Sequence, residues 1–297
     1  MPKKYLAYTL LVCTTLIWSV NFIIGKFAYL FEVPPLTLNF LRWTLVWLLL
    51  FPFTYKEIFS NIKLIKKNII YLTILAITSV SAFNSLVYLA LNYTQAIDTI
   101  LMISIIPVFV LFLSSILGVE KFNFFQLIGL IVSFVGVLII FSNADLDKIL
   151  NLNFNIGNAW MLLAVFCWAL YSSLLKKKKL PFSTLGLVEI LASIGLIFLI
   201  PQFIGEQMYG KEIKFNKAFF LILSFVTLFA SIGAYYSWNK AIELIGPNRA
   251  SIFLHLMPIF GVSLAIVLLK ESFQMYHFIG ATFIVTGIYL SNRKKYD

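Results

Sequence analysis

The chain has 297 residues, of which 61% are hydrophobic and 12% charged, and its formal net charge is +11. A soluble domain runs about 45–50% apolar and roughly 25% charged, so too few charges are present to coat a water-facing surface. Soluble, disordered and disulfide-stapled secreted classes are excluded, and an all-α polytopic membrane protein remains.

Taken in chain order, continuous apolar runs fall at 5–29, 35–54, 68–92, 97–118 and 123–142, then at 156–175, 182–204, 218–243, 248–269 and 273–291. Each is long enough to cross a hydrocarbon core of about 30 Å as a helix. A barrel would instead show alternating segments of roughly ten residues, so the runs predict ten transmembrane helices. The first is too long for a signal peptide, carries Trp18 and Asn21, and has an internal copy later in the chain. Pro107 in the fourth run and Pro258 in the ninth each remove a helical hydrogen bond, which predicts a kink or hinge. In the fifth run, Gly129, Ser133 and Gly136 share one face, which predicts close helix packing, whereas Phe134 is expected to face lipid.

Cys13 and Cys167 both lie inside apolar runs, so no disulfide framework or metal cluster is expected. The basic excess reads as topology and not as a nucleic-acid footprint. With the N-terminus inside, sixteen Lys and Arg fall at inner ends and six at outer ends, with Arg42 inside the second span. Both termini are therefore expected in the cytoplasm of a cell whose plasma (cytoplasmic or inner) membrane holds the protein. The run Lys176 to Lys179 reads as a topology anchor, with a lipid-headgroup site as the alternative.

The chain repeats itself. Ala90 and Ala241, Pro107 and Pro258, Glu120 and Glu271, Gly129 and Gly280, and Gly136 and Gly287 are each separated by 151 positions. Trp18 matches Trp168 at 150, and Arg42 matches Glu189 at 147, so the shift drifts only across loops. This divides the chain into a repeat at 1–142, an external linker at 143–155 and a second repeat at 156–297. Five spans per repeat is an odd number, so the second copy enters from the opposite side. Inverted repeats of this kind belong to transporters that hold substrate near the midplane, between the halves.

The segments "PVFVLFLSSILGVEKFNFFQLIGLIVSFVGVLII" and "PIFGVSLAIVLLKESFQMYHFIGATFIVTGIYL", together with "WSVNFIIGK" and "WALYSSLLKK", resemble the EamA domain. Two tandem EamA domains are similar to a branch of the drug/metabolite transporter superfamily. The resemblance covers nearly the whole chain. It implies secondary transport of a small metabolite, with spans 1, 3, 4, 6, 8 and 9 around a central cavity and spans 5 and 10 at the periphery. It does not specify the substrate.

No Walker A motif, zinc motif or nucleophile elbow occurs, so no cofactor, metal or catalytic residue is expected and transport is secondary or facilitative. Polar stripes run along the spans: Thr14, Trp18 and Asn21 on the first, and Ser81, Asn84, Tyr88 and Asn92 on the third. Trp168, Tyr171 and Ser172 follow on the sixth, with Tyr235 and Asn239 on the eighth. Such groups are costly against lipid, so they face either a substrate cavity or neighbouring helices. Aromatic walls with amide donors suit a small neutral or zwitterionic ligand.

Ionisable residues within spans are default functional candidates. Arg42 and Glu189 are candidates for coupling or gating, against snorkelling for Arg42. Asp98 reads as a cap at the start of the fourth span, with coupling as its alternative. His255, three residues before Pro258, binds substrate or titrates, or is a neutral core histidine. The leading expectation is export of amino acids or amino-acid-like compounds by alternating access, as a monomer or homodimer in the bilayer. Uptake of a nucleobase-type metabolite is the alternative within the class. A membrane-embedded transferase is the remote one, because no carboxylates or histidines gather at one face.

Overall fold

A computed structural model describes residues 3–119, 124–145, 147, 155–178, 180–209 and 215–291. The expectations placed on Glu120, Lys121, Lys148, Lys179, Lys211, Lys214 and residues 293–295 lie outside the described residues. The apolar runs form α1 Lys3–Leu30, α2 Pro35–Ser60, α3 Ile69–Tyr93, α4 Ala96–Ile116 and α5 Phe124–Ser142. They continue as α6 Ile156–Lys177, α7 Thr184–Met208, α8 Lys217–Ile245, α9 Pro247–Leu269 and α10 Met275–Ser291. Eight of these are long and apolar enough to cross a membrane. In α5 and α10 the apolar described stretches are the shorter Ile131–Ile140 and Met275–Gly287.

Local chemistry starts the helices. Pro35 occupies the first turn of α2, where its missing N–H costs nothing. The side chains of Asn155, Ser183 and Asn216 accept from the backbone N–H groups of Gly157, Gly186 and Phe219 at 2.7, 3.0 and 2.9 Å, opening α6, α7 and α8. Helices α2 and α7 run through Pro52 and Pro201, which lie inside the expected runs, and end at Ser60 and Met208, a few residues past them. An internal proline bends a helix in apolar surroundings without ending it, because neighbouring groups satisfy the freed carbonyl.

Two irregularities of the first half have counterparts in the second, while a π-helical stretch at Ala265–Leu269, at the end of α9, has none. A π-helical stretch widens α3 at Ile77–Ser81 and α8 at Val226–Gly233. Helix α4 breaks at Ser104 and Ile105, and α9 tightens into a 3-10 turn at Phe253–His255. Both breaks sit just before the paired prolines Pro107 and Pro258, whose rings remove the bond to residue i−4.

Helices α5 and α10 pack backbone to backbone. A Cβ on Gly136 would lie 2.5 Å from the Gly280 carbonyl oxygen, and one on Gly280 would lie 2.8 Å from that of Gly136. Ser133 Oγ donates to the Ile284 carbonyl at 3.2 Å between them. Phe134 does not simply face lipid, since it is half-buried and meets Phe109 edge-on at 5.9 Å.

Helices α2 and α7 are tied at both ends by carboxylates. Near the end of α2, Glu57 accepts from Ser183 N and from Ser183 Oγ (2.6 Å), at the start of α7. Near the end of α7, Glu206 accepts from Leu36 N at 3.3 Å and Thr37 N at 2.6 Å, at the start of α2. Each helix therefore supplies the anion that the other's N-terminal N–H groups require.

A third cap corrects the reading of Asp98. The two oxygens of Glu271 accept from Ala96 N and Ile97 N at 2.9 Å each, so Glu271 caps α4 and leaves no such role for Asp98. Asp98 instead accepts from Thr94 Oγ1 at 3.0 Å and pairs with Nε2 of the fully buried His277 at 2.9 Å, joining α4 to α10. Close by, Lys26 Nζ donates to the Leu91 and Thr94 carbonyls at 2.8 Å each, closing the end of α3.

Candidate functional site

The repeat brings its own equivalents into contact. Trp18 on α1 and Trp168 on α6 meet edge to face, with ring centroids 5.0 Å apart. Asn84 on α3 and Tyr235 on α8 hydrogen-bond at 2.9 Å. These pairs border a narrow cavity between the two halves of the chain. It encloses about 390 Å³ of atom-free space, mouth included, and its clear interior admits little more than water. Of the residues expected to bind substrate, Trp18, Asn21, Asn84, Trp168 and Tyr235 line it.

The aromatic wall is continuous. Trp168 is 1% exposed and touches Phe83 at 4.6 Å, Tyr171 at 5.1 Å, Tyr235 at 5.4 Å and Trp238 at 5.8 Å. Trp18 is further held by its indole N–H, which donates to the Ala230 carbonyl at 3.1 Å. The two rings meet and fill the space between the halves. Entry of anything larger than water requires them to separate.

The polar wall centres on Arg42. Snorkelling does not occur: the residue is 1% exposed. Its Nε donates to Ser231 Oγ, and its Nη1 donates to Asn84 Oδ1 and to the Tyr88 hydroxyl, both at 2.9 Å. The π-helical stretches build this arrangement. Ser79, in the widened turn of α3, offers a carbonyl that accepts from Asn84 Nδ2 at 2.8 Å and from the Tyr235 hydroxyl at 2.6 Å. Ser231, in the widened turn of α8, donates to the Val226 carbonyl five residues back at 2.7 Å. Every partner of the guanidinium is neutral, and among the described residues no carboxylate lies within ion-pair distance of it. Burying a cation without a counter-charge costs several kcal/mol.

The remaining candidates lie apart from the cavity lining. Tyr88 stands behind Arg42 and donates to Asn21 Oδ1 at 3.4 Å. Tyr171 donates to Asn239 Oδ1 at 2.6 Å, making a separate buried pair. His255 does not line the cavity, although its neighbours Leu254 and Met257 do, and both ring nitrogens are buried without a hydrogen bond. Glu189 is fully buried, and neither carboxylate oxygen has a hydrogen-bond partner among the described residues. Repeat equivalence does not bring it to Arg42. Pro107 and Pro258 act at a distance, since Ile103 and Ile106 before one, and Leu254 and Met257 before the other, reach the cavity.

Sequence reasoning missed Ser231, and of the cavity lining it missed Phe22, Phe83, Val87 and these four aliphatic residues. Ser231 carried a signal, because it lies one helical turn before Tyr235 on the polar face of α8. The aliphatic residues carried none, since nothing in an apolar run separates a cavity wall from a lipid face. Among the described residues no group of three or more His, Cys, Asp or Glu is placed to hold a metal ion.

Comparisons with known proteins bear on what such a cavity serves. The EamA-like transporter family matches residues 5–142 and again 155–293. An uncharacterised transporter of Archaeoglobus fulgidus is 28% identical over 98% of this chain and 98% of its own length. A second uncharacterised transporter, YetK of Bacillus subtilis, is 26% identical over 99% of this chain and 89% of its own. A thiamine-repressible mitochondrial transport protein of Saccharomyces cerevisiae is 27% identical over 69% of this chain and 58% of its own. A solved crystal structure superposes with a TM-score of 0.65 over 97% of this chain and 98% of that one, at 14% identity, and so shares the fold.

Proposed function

The chain belongs to the EamA-like transporter family, and from that premise we propose that it is a secondary transporter exporting an amino-acid-like metabolite by alternating access. Transport across a membrane follows from the family; the mechanism, direction and substrate are our reading. The observation that carries it is the closed cavity walled by Trp18 and Trp168, where equivalent residues of the two repeats touch. Residues that contact their own repeat-mates lie on the axis relating the halves. A substrate held there meets the same chemistry from either side of the membrane.

In this reading all ten helices span the membrane, the repeats are inverted and both termini are cytoplasmic. The Glu57 cap then closes the cytoplasmic end of the α2–α7 seam, and the Glu206 cap closes the external end. Exchange between inward- and outward-open states releases one cap while keeping the other. The aromatic wall supplies apolar area and π faces, and Asn21, Asn84 and Tyr235 supply the few oriented polar groups that a small-molecule site uses.

Two measurements test the proposal. Reporters fused at 176–179 and after residue 295 are expected to read cytoplasm, and one at 145–148 to read outside; an external signal at the first two sites rejects the inverted arrangement. Proteoliposomes preloaded with unlabelled amino acids are expected to take up the labelled compound by counterflow. Absence of exchange with every amino acid, alongside exchange with a nucleobase, moves the substrate to the alternative class.

A further inference from the structure

We propose that Arg42 is the anion-binding residue of the cavity, and that the transported substrate carries a carboxylate which pairs with it. The proposal rests on the transporter reading above and deepens it by naming the chemical group that is recognised.

A guanidinium presents five N–H donors. Three of them, on Nε and Nη1, are held by Ser231, Asn84 and Tyr88. The two on Nη2 have no hydrogen-bond partner among the described residues, and Arg42 lines the cavity. The three neutral partners come from α3 and α8, so the head group is fixed from both repeats before any ligand arrives. A purely structural bridge between these helices would need donors but no charge. The rings of Trp43 and Tyr88, 5.6 and 6.0 Å from the guanidinium, meet its charge only in part, and no Asp or Glu lines the cavity to pair with it. A carboxylate would pair with it through a charge-assisted hydrogen bond in largely apolar surroundings.

The same inventory ranks the two ends of an amino acid. An ammonium group would find no carboxylate in the cavity, only the neutral oxygens of Asn21, Asn84 and Tyr235 and the aromatic rings. The carboxylate is therefore the required group and the ammonium a dispensable one. Small carboxylates with an apolar or aromatic body, aminated or not, form the expected class.

Pairs of ligands that differ only in charge test this on the purified full chain. Thermal-shift titrations compare benzoate with benzamide, and isovalerate with isovaleramide. Each carboxylate is expected to stabilise the protein with an apparent affinity about tenfold or more above that of its amide. The preference should vanish in Arg42→Gln and persist in Phe53→Ala, at a ring that is 83% exposed. If Arg42→Gln does not fold, Arg42→Lys takes its place and is expected to keep a weakened preference. Equal stabilisation by carboxylate and amide, no stabilisation by either, or a preference surviving in Arg42→Gln overturns the proposal. The transport reading stands or falls separately, on counterflow.

Discussion

Asn84 and Tyr235 occupy equivalent positions in the two repeats and hydrogen-bond to each other at 2.9 Å. Trp18 and Trp168 meet in the same way, as do Ser133 Oγ and the carbonyl of its repeat-mate Ile284. Three contacts between equivalents, on three pairs of helices, trace the line about which the proposed inverted arrangement would relate the halves. The candidate substrate cavity lies on that line, so motion of the halves against each other reshapes it directly.

The first prediction concerns this central contact. Trp168→Ala and Asn84→Ala are each expected to weaken substrate binding by about 1–3 kcal/mol, or roughly 5- to 150-fold. Phe53→Ala, at a ring that is 83% exposed, should leave affinity unchanged. Dissociation constants of monodisperse variants decide the matter, and unchanged affinity in both cavity variants assigns these residues to packing alone.

The exchanged caps predict opposite biases. Glu57→Gln and Glu206→Gln each weaken an anionic cap by about 1 kcal/mol, which shifts a two-state equilibrium roughly fivefold. Glu206→Gln is expected to favour the state open at the end holding Leu36, and Glu57→Gln the state open at the end holding Ser183. Labelling rates of single cysteines placed on the two sides of the α2–α7 seam measure this. Rates that move in the same direction for both variants contradict the latch assignment.

The Asp98–His277 pair predicts a coupling energy. Removing either side chain leaves the other buried with a lost hydrogen bond, so Asp98→Ala and His277→Ala should each destabilise the protein by about 1–3 kcal/mol. The double variant should cost less than the sum of the two, with an interaction energy of about 0.5–3 kcal/mol. Additive losses in a double-mutant cycle would show that the 2.9 Å contact carries no net stability.

Glu189 predicts a split between exchange and accumulation. A buried carboxyl without a hydrogen-bond partner among the described residues, at the position equivalent to Arg42, is the strongest candidate for carrying a coupled proton. Glu189→Gln is expected to abolish accumulation driven by a pH gradient while counterflow continues. His255→Gln, whose ring lies off the cavity lining, should leave both intact. Accumulation that survives in Glu189→Gln excludes this carboxyl as the carrier.

The amino-acid sequence by itself determined the membrane class, the apolar runs and the doubled plan, because hydropathy and repeat spacing are properties read along one chain. It also marked Pro107 and Pro258, since a missing N–H acts on its own helix. Tertiary structure alone decided which polar groups meet. The pattern around Arg42 is compatible with a side chain reaching to the membrane surface, and only the approach of α3 and α8 gives its guanidinium three neutral partners inside. Asp98 has the position of a helix cap, yet Glu271, distant in the chain, takes that role and leaves Asp98 to His277. Glu57 and Glu206 look like ordinary interfacial acids until α2 lies against α7. In each case the deciding quantity is which face of one helix turns toward another, and contacts between residues far apart in the chain set that rotation.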